Sequence, residues 1–366
     1  MQLALYRSFR PTTFDSVIGQ DHIVRALENQ VMSGKIGHAY LFCGTRGVGK
    51  TSCAKIFAKA INCLHPVNGS ACGECEVCKA LNAPNNVDIL EIDAASNNGV
   101  DEIRALREKI KYPPIHGKYK VYIIDEVHML TDSAFNALLK TLEEPPTHAV
   151  FILATTESYK LPQTILSRCM RFDFRLVSKD DLAKQTRKVF DEIGVKYDDR
   201  AVDLIAKAGE GSVRDTLSIA DCVVAFAGNN VTTDKVVEIL GTSDRESVVK
   251  VVDEIIAKNL GGVLKRIDDF CRAGRNLVAL GKELTSHFKD LLVVKTCPDA
   301  EKMLGITKED YDKYLLQANA LDVDTLIAFM QKFSEIESEL KYALSPRTLI
   351  ELKCLECASY GNEKKN

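Results

Sequence analysis

The chain has 366 residues, 46% hydrophobic and 27% charged, the balance of an ordinary folded protein with room for two or three domains. No run approaches the roughly 18 consecutive apolar residues of a membrane span, and the N-terminus lacks the apolar core of a signal peptide, so a cytoplasmic location without a membrane partner is expected. Net charge is −3, yet residues 1–60 carry eight Lys/Arg against three Asp/Glu, so any DNA binding has to be local.

Helical periodicity covers residues 21–33, and the apolar run 39–43 predicts a buried strand. A helix over 50–62 follows. Beyond a cysteine-rich insertion come a strand at 87–93, a helix at 100–109, a strand at 120–125 and a helix at 133–143, which Pro145-Pro146 ends. Strands at 149–155 and 171–174 complete the set. This alternation predicts an α/β fold, a parallel five-stranded sheet with helices on both faces.

Past Ser178 only helical patterns remain, at 178–194, at 198–209, from a Ser212 cap through Phe226, and at 232–240 after a Gly-Asn-Asn turn. Gly241-Thr242-Ser243 is the expected boundary. The predicted plan is a first domain at 1–177 with an insertion at 63–78, an all-helical unit at 178–242, a further helical domain at 243–360 and a frayed tail at 361–366.

Gly44-Thr45-Arg46-Gly47-Val48-Gly49-Lys50-Thr51 matches G-x-x-x-x-G-K-[ST] in full, directly after a buried strand and, with Ser52, opening a helix. Glycines permit a tight loop whose N–H groups face phosphates, and the helix N-terminus adds favourable partial charge. Lys50 is expected on the β- and γ-phosphates of ATP and the Thr51 hydroxyl on Mg²⁺. Val121-Tyr122-Ile123-Ile124-Asp125-Glu126 is an apolar strand ending in two carboxylates, and ligands gather at the C-terminal ends of parallel strands. Asp125 is expected to orient Mg²⁺ and Glu126 to polarise the attacking water. His128 reads as a packing or orienting residue.

Cys63, Cys72, Cys75 and Cys78 place four thiols within 16 residues. Four thiolates suit tetrahedral, structural Zn²⁺, with an iron–sulfur cluster as the rival because it shares the C-x₂-C spacing. Cys354 and Cys357 have no second pair and read as one helix face. Ser96-Asn97-Asn98-Gly99 precedes a helix carrying Arg104, Arg107 and Lys109, which reads either as a phosphate-binding face or as a capped surface helix.

Further segments carry a family resemblance. Tyr6-Arg7-Ser8-Phe9-Arg10-Pro11, with Phe14 and Val17-Ile18-Gly19-Gln20, resembles the N-terminal box of AAA+ ATPases that covers the adenine. It implies nucleotide contacts for Tyr6, Arg10, Pro11, Val17 and Ile18. Thr155-Thr156 lies where those proteins keep a γ-phosphate sensor, for which Thr156 is favoured. Ser167-Arg168-Cys169 looks like the Ser-Arg-Cys motif of clamp-loader subunits, and Gly211-Ser212-Val213-Arg214-Asp215 resembles their lid sensor. His38-Ala39-Tyr40-Leu41-Phe42, Ile92-Asp93-Ala94-Ala95-Ser96 and Leu138-Leu139-Lys140-Thr141-Leu142-Glu143-Glu144-Pro145-Pro146 point to the gamma/tau family of bacterial DNA polymerase III clamp-loader subunits. The match covers about residues 1–242 and is weaker over the C-terminal helices, which that family uses as an oligomerising collar.

The resemblance implies an ATP-hydrolysing motor that loads a sliding clamp onto primer–template DNA and has no polymerase site of its own. Arg168 would act in trans on a neighbour's ATP and Arg214 in cis. Implied partners are delta and delta-prime type subunits, copies of the chain itself, the sliding clamp, and DNA through its backbone. The family also carries zinc at the insertion. The longer form of the family continues into further domains, so the chain is expected to be a short form or a truncated one. Competing readings are a non-hydrolysing scaffold subunit, whose phosphate loop would be damaged, and a branch-migration helicase, which would end in a winged helix.

Overall fold

The computed structural model describes residues 4–84, 86–240, 245–273, 276–304, 306 and 308–360. The expected boundary at 241–243 and the tail at 361–366 lie outside the described residues. The chain divides into two compact units, residues 1–233 and 234–366.

In the first unit, α1 (Leu5–Ser8) and a 3₁₀ turn (Phe14–Ser16) lead to α2 (Asp21–Ser33), β1 (Ala39–Cys43) and α3 (Lys50–Ala60). The cysteine insertion contains α4 (Glu76–Asn82), and then come β2 (Ile89–Asp93), α5 (Val100–Ile110), β3 (Lys120–Asp125) and α6 (Asp132–Glu143). β4 (Ala149–Thr155), α7 (Gln163–Leu166) and β5 (Met170–Asp173) close the sheet. Its order is β2-β3-β4-β1-β5, every pairing parallel.

Both faces are covered, so the central strands are buried at every residue of β1 and β4. Tyr40, Phe42, Ile123 and Ile152 pack with Ile23 and Leu27 of α2 and Phe57 of α3. Leu41, Tyr122, Ile124 and Phe151 pack with Leu106 of α5, Phe135 of α6 and Ile165 of α7. The register sets Cys43 level with Thr155, and Asp93 level with Asp125. The C-terminal ends of β1, β3 and β4 therefore form one rim, from which the phosphate loop, the acidic pair and Thr155-Thr156 all emerge.

β2 begins two residues later than the apolar pattern suggests. The Asn86 side chain accepts from the backbone N–H groups of Asp88 and Ile89, at 2.8 and 3.3 Å, and the fully buried Asp88 carboxylate accepts from Ile115, His116 and Gly117 at 2.7–3.0 Å. Local side-chain bonds thus hold the chain in a turn where hydrophobicity reads as strand.

The expected helical unit at 178–242, the counterpart of the lid in the resemblance, comprises α8 (Lys179–Glu192), α9 (Asp199–Ala208) and α10 (Val213–Ala227), with Ser178 and Ser212 as N-caps of α8 and α10. It is not all-helical as expected. β6 (Lys196–Tyr197) and β7 (Asn230–Val231) form a two-stranded parallel ladder, and two residues are too few to leave an alternating pattern in the sequence.

From α11 (Thr233–Leu240) onward the described residues form helices alone: α12 (Arg245–Ile256), α13 (Leu260–Arg272), α14 (Leu277–Thr296), α15 (Ala300–Leu304), α16 (Lys308–Ala320), α17 (Val323–Phe333), α18 (Ile336–Tyr342) and α19 (Pro346–Ala358). Phe288 of α14 packs against Phe329 and Phe333 of α17 at the heart of this second core. Cys354 and Cys357 are buried in it, which agrees with their reading as one helix face.

Candidate nucleotide site

A cleft of about 570 Å³ opens at the rim of the sheet. One wall is the loop that follows β1. Gly44, Gly47 and Gly49 have φ of 150°, 78° and 103°, backbone that side chains rarely adopt. At Gly44 and Gly47 an added Cβ would also collide with the Phe174 carbonyl and with Ser212 Oγ. Lys50 opens α3 and donates from Nζ to the Gly44 and Thr45 carbonyls at 2.7 and 2.8 Å. Burial draws its pKa below the ordinary value, and the carboxylates of Glu126 and Asp125 oppose that shift. Gln20, fully buried, ties the loop down by donating from Nε2 to the Arg175 carbonyl at 2.7 Å and the Val48 carbonyl at 3.5 Å.

Thr51 Oγ1 donates to Asp125 Oδ2 at 2.6 Å, so two hard oxygen donors already converge, a set that suits Mg²⁺. Asp125 Oδ1 accepts from the Glu126 backbone N–H at 2.9 Å. Glu126 itself has φ 47° and ψ 44°, a left-handed backbone that costs a non-glycine residue roughly 1–2 kcal/mol. That turn aims its carboxylate across the rim, where Oε2 accepts from the Thr156 N–H and hydroxyl at 3.3 and 3.1 Å. His128 stands behind, with Nδ1 3.0 Å from Thr155 Oγ1 and Nε2 3.1 Å from Glu157 Oε2.

The opposite wall is the N-terminal segment. Tyr6, Arg10, Pro11, Val17 and Ile18 line it, as do Phe9 and Ser16. Arg10 Nε donates to Ser52 Oγ at 3.1 Å, so this segment reaches across to α3. The lid forms a third side. The N–H groups of Val213 and Arg214 donate to the Gly47 carbonyl at 3.1 and 3.4 Å, and the Arg214 guanidinium lies 5.2 Å from the Tyr6 ring centre, a cation–π distance.

The four expected cysteines also come together. The Sγ atoms of Cys63, Cys72, Cys75 and Cys78 lie within 4.8 Å of one another. Cys72 and Cys78 are 3.9 Å apart, close to the ~3.8 Å edge of a tetrahedron with 2.3 Å zinc–sulfur bonds. Backbone N–H groups already point at sulfur, from Cys72 to Cys63 at 3.2 Å and from Cys75 to Cys72 at 3.4 Å. The Leu64 and Cys78 N–H groups hold the Cys75 thiol down at about 6, toward the thiolate a metal requires, whereas burial pushes the Cys63 and Cys78 thiols up. So tight a set is of a size to suit a single ion.

Comparison with known proteins fits these arrangements. DNA polymerase III subunit gamma of Buchnera aphidicola is 37% identical over 297 residues, spanning 80% of this chain and 81% of its own length. The chain belongs to the DNA polymerase III gamma/tau family. DNA polymerase III subunit tau of Bacillus subtilis is 41% identical over 360 residues, which is 98% of this chain and 64% of that relative. The chain thus spans less than two thirds of that longer protein. The profile described as "DNA polymerase III, delta subunit" matches residues 19–178, that of the "DNA polymerase III clamp loader subunit, ATPase lid domain" matches 181–229, and that of "DNA polymerase III subunits gamma and tau domain III" matches 231–362. The Thermotoga maritima RuvB Holliday junction branch migration motor aligns with a TM-score of 0.50 at 21% identity, over 85% of this chain and 91% of its own. That likeness shows a common fold and no more.

Within this family frame, Arg168 stands apart. It is not among the residues lining the cleft. Its guanidinium donates to the Thr164 carbonyl and to Glu143 Oε1, both at 2.8 Å, at the surface. Gln185 of α8 and Leu217 of α10 do line the cleft, and sequence reasoning missed both, because proximity of the lid to the phosphate loop is a tertiary fact with no local signature. Ser16 and Phe9 fall between residues of the N-terminal box that the resemblance did assign. On the face suggested for DNA, Asp93 organises the turn by accepting from the Ala95 N–H at 2.9 Å and the Ser96 hydroxyl at 3.3 Å. Gly99 caps α5 without a side-chain bond, and Arg104 pairs with Asp101 at 3.2 Å.

Proposed function

We propose that this chain is an ATP-hydrolysing motor subunit of a clamp loader, which places a sliding clamp on primer–template DNA and holds no polymerase site of its own. What carries the reading is one arrangement: Lys50, Thr51, Asp125 and Glu126 converge in a single cleft, while Arg168 lies outside it. A non-hydrolysing scaffold has no use for that complete set, and the branch-migration reading rests on fold likeness alone.

ATP would lay its phosphates on the N–H groups of the loop and the N-terminus of α3, with the flat base against Pro11, Val17 and Ile18. Lys50 would leave the Gly44 and Thr45 carbonyls for the phosphate oxygens. Mg²⁺, when bound, neutralises developing phosphate charge. Thr51 and Asp125 would hold it. Glu126 would take the proton of the attacking water, Thr156 would report the γ-phosphate, and Arg214 would reach the nucleotide from the lid. Arg168 would complete the cleft of a neighbouring subunit in trans. Cys63, Cys72, Cys75 and Cys78 would hold structural Zn²⁺, with no position left for water.

On this reading residues 1–177 are the ATPase domain, 178–242 the lid and 243–360 an oligomerising collar, in a cytoplasmic assembly with delta and delta-prime type subunits and copies of the chain. Among the described residues no helix is long and apolar enough to cross a membrane. Arg104, Arg107 and Lys109 of α5 would follow the DNA backbone without reading bases.

The deciding measurement is ATP hydrolysis by the chain alone and with partner subunits, clamp and primed DNA. Turnover per chain should rise at least tenfold in the assembly, because only there does Arg168 meet a nucleotide. Absence of hydrolysis in every combination, or a rate that ignores concentration and partners, would overturn the motor reading. Metal analysis should separately find one zinc per chain, lost on treatment with a strong chelator. A chain purified free of zinc that takes none up would remove the metal assignment.

A further inference from the structure

We propose that Ser70, in the loop bracketed by Cys63 and Cys72, is a positioning residue for the nucleoside side of the cleft, so that metal at the four cysteines tightens nucleotide binding. This rests on reading the cleft as an ATP site and the cysteines as a zinc site.

The physical path is short. Val67 and Ser70 exchange two backbone hydrogen bonds, at 2.9 and 2.8 Å, around Asn68 and Gly69, whose φ values are 47° and 75°. Positive φ at both central residues is a type I′ turn. The Gly69 backbone presses on α2, where an added Cβ would stand 2.7–2.8 Å from Glu28 carbons. That contact aims the turn inward. Ser70 is 5% exposed, and its Oγ accepts from the Phe14 backbone N–H at 2.9 Å, across 56 residues of sequence. Phe14 is buried in the core and opens the 3₁₀ turn that runs into Ser16, Val17 and Ile18. Those three residues form part of the wall of the cleft away from the phosphate loop.

Ser70 is two residues from Cys72, and the other end of the loop is Cys63, whose Sγ accepts from the Cys72 N–H at 3.2 Å. An ion joining the four sulfurs closes this loop and fixes the hydroxyl. Without it the turn is held by its own two hydrogen bonds, the Glu28 contact and the Ser70–Phe14 bond, and the loop end by the Cys72–Cys63 bond. Removing the hydroxyl leaves a buried N–H with no acceptor, a state that relaxes by shifting the segment. The shift falls on the base wall and spares the phosphate loop.

The experiment titrates the parent, Ser70→Ala and Ser70→Thr with a fluorescent ATP analogue, with unlabelled ATP and inorganic tripolyphosphate as competitors, before and after zinc removal. Ser70→Ala should raise the Kd for ATP about tenfold, or ~1.4 kcal/mol, and leave tripolyphosphate competition unchanged, since only the nucleoside meets that wall. Ser70→Thr should restore tight binding. Zinc removal should reproduce the Ser70→Ala result in the parent and add nothing to it in Ser70→Ala. Hydrogen exchange of the Phe14 amide should accelerate in both cases. Unchanged ATP affinity in Ser70→Ala, or equal loss of ATP and tripolyphosphate, would overturn the inference while leaving the ATPase reading in place. A parent that binds no nucleotide would end both.

Discussion

Glu126→Gln should bind ATP within about threefold of the parent yet hydrolyse it about 10²–10⁴-fold more slowly, the range for losing a general base. Gln preserves length and can still accept the two hydrogen bonds from Thr156, so the cleft should keep its shape. What it loses is the capacity to take a proton. The backbone supports assigning that role here and not to Asp125. Asp125 is engaged by Thr51 at 2.6 Å, whereas Glu126 sits in a left-handed conformation that turns its carboxylate away from the strand. Strain of this kind persists where the surroundings over-determine it, commonly at functional positions. Single-turnover hydrolysis in the assembled complex, alongside equilibrium binding of an ATP analogue, separates the two effects. Turnover within threefold of the parent would assign the proton elsewhere.

How much of this was legible beforehand depends on the kind of signal. The phosphate loop and acidic pair could be read because each combines an apolar strand with chemistry at its C-terminal end, and the sheet register then brings Asp125 to Thr51. The backbone of Glu126 could not be read, since glutamate carries no turn preference. It follows from β3 ending where the turn Val127–Met129 begins. The cysteine spacing gave the four-thiol cluster but not α4, whose N-cap is Cys75, with Sγ accepting from the Cys78 N–H. Gln20 belonged to a recognisable segment, but its grip on Arg175 spans 155 residues, a distance no local pattern covers. Gln185 and Leu217 were invisible for the same reason. The β6–β7 ladder was missed because a two-residue strand leaves no period to detect.

Arg168→Ala should leave ATP binding by the isolated chain unchanged and cut hydrolysis by the assembled complex about 10³–10⁵-fold, or ~4–7 kcal/mol of barrier, the range for an arginine finger in related phosphoryl-transfer enzymes. The alternative for this side chain is a purely structural ion pair with Glu143. The side chains are 34% and 49% exposed, and such surface pairs contribute about 0–1 kcal/mol. The two accounts therefore differ by several kcal/mol, and the weak resting pair costs little to break when a neighbour's triphosphate offers greater charge. Glu143→Ala separates them further. It removes the same ion pair, so a structural role would make it as damaging as Arg168→Ala, whereas a finger would leave its turnover within about threefold of the parent. Arg168→Lys should recover little, because a point charge on a flexible stem does not reproduce the planar fork. If assembled Arg168→Ala and Glu143→Ala complexes hydrolyse ATP at similar, near-parental rates, Arg168 is a surface residue and the trans-acting site has to be sought on another arginine.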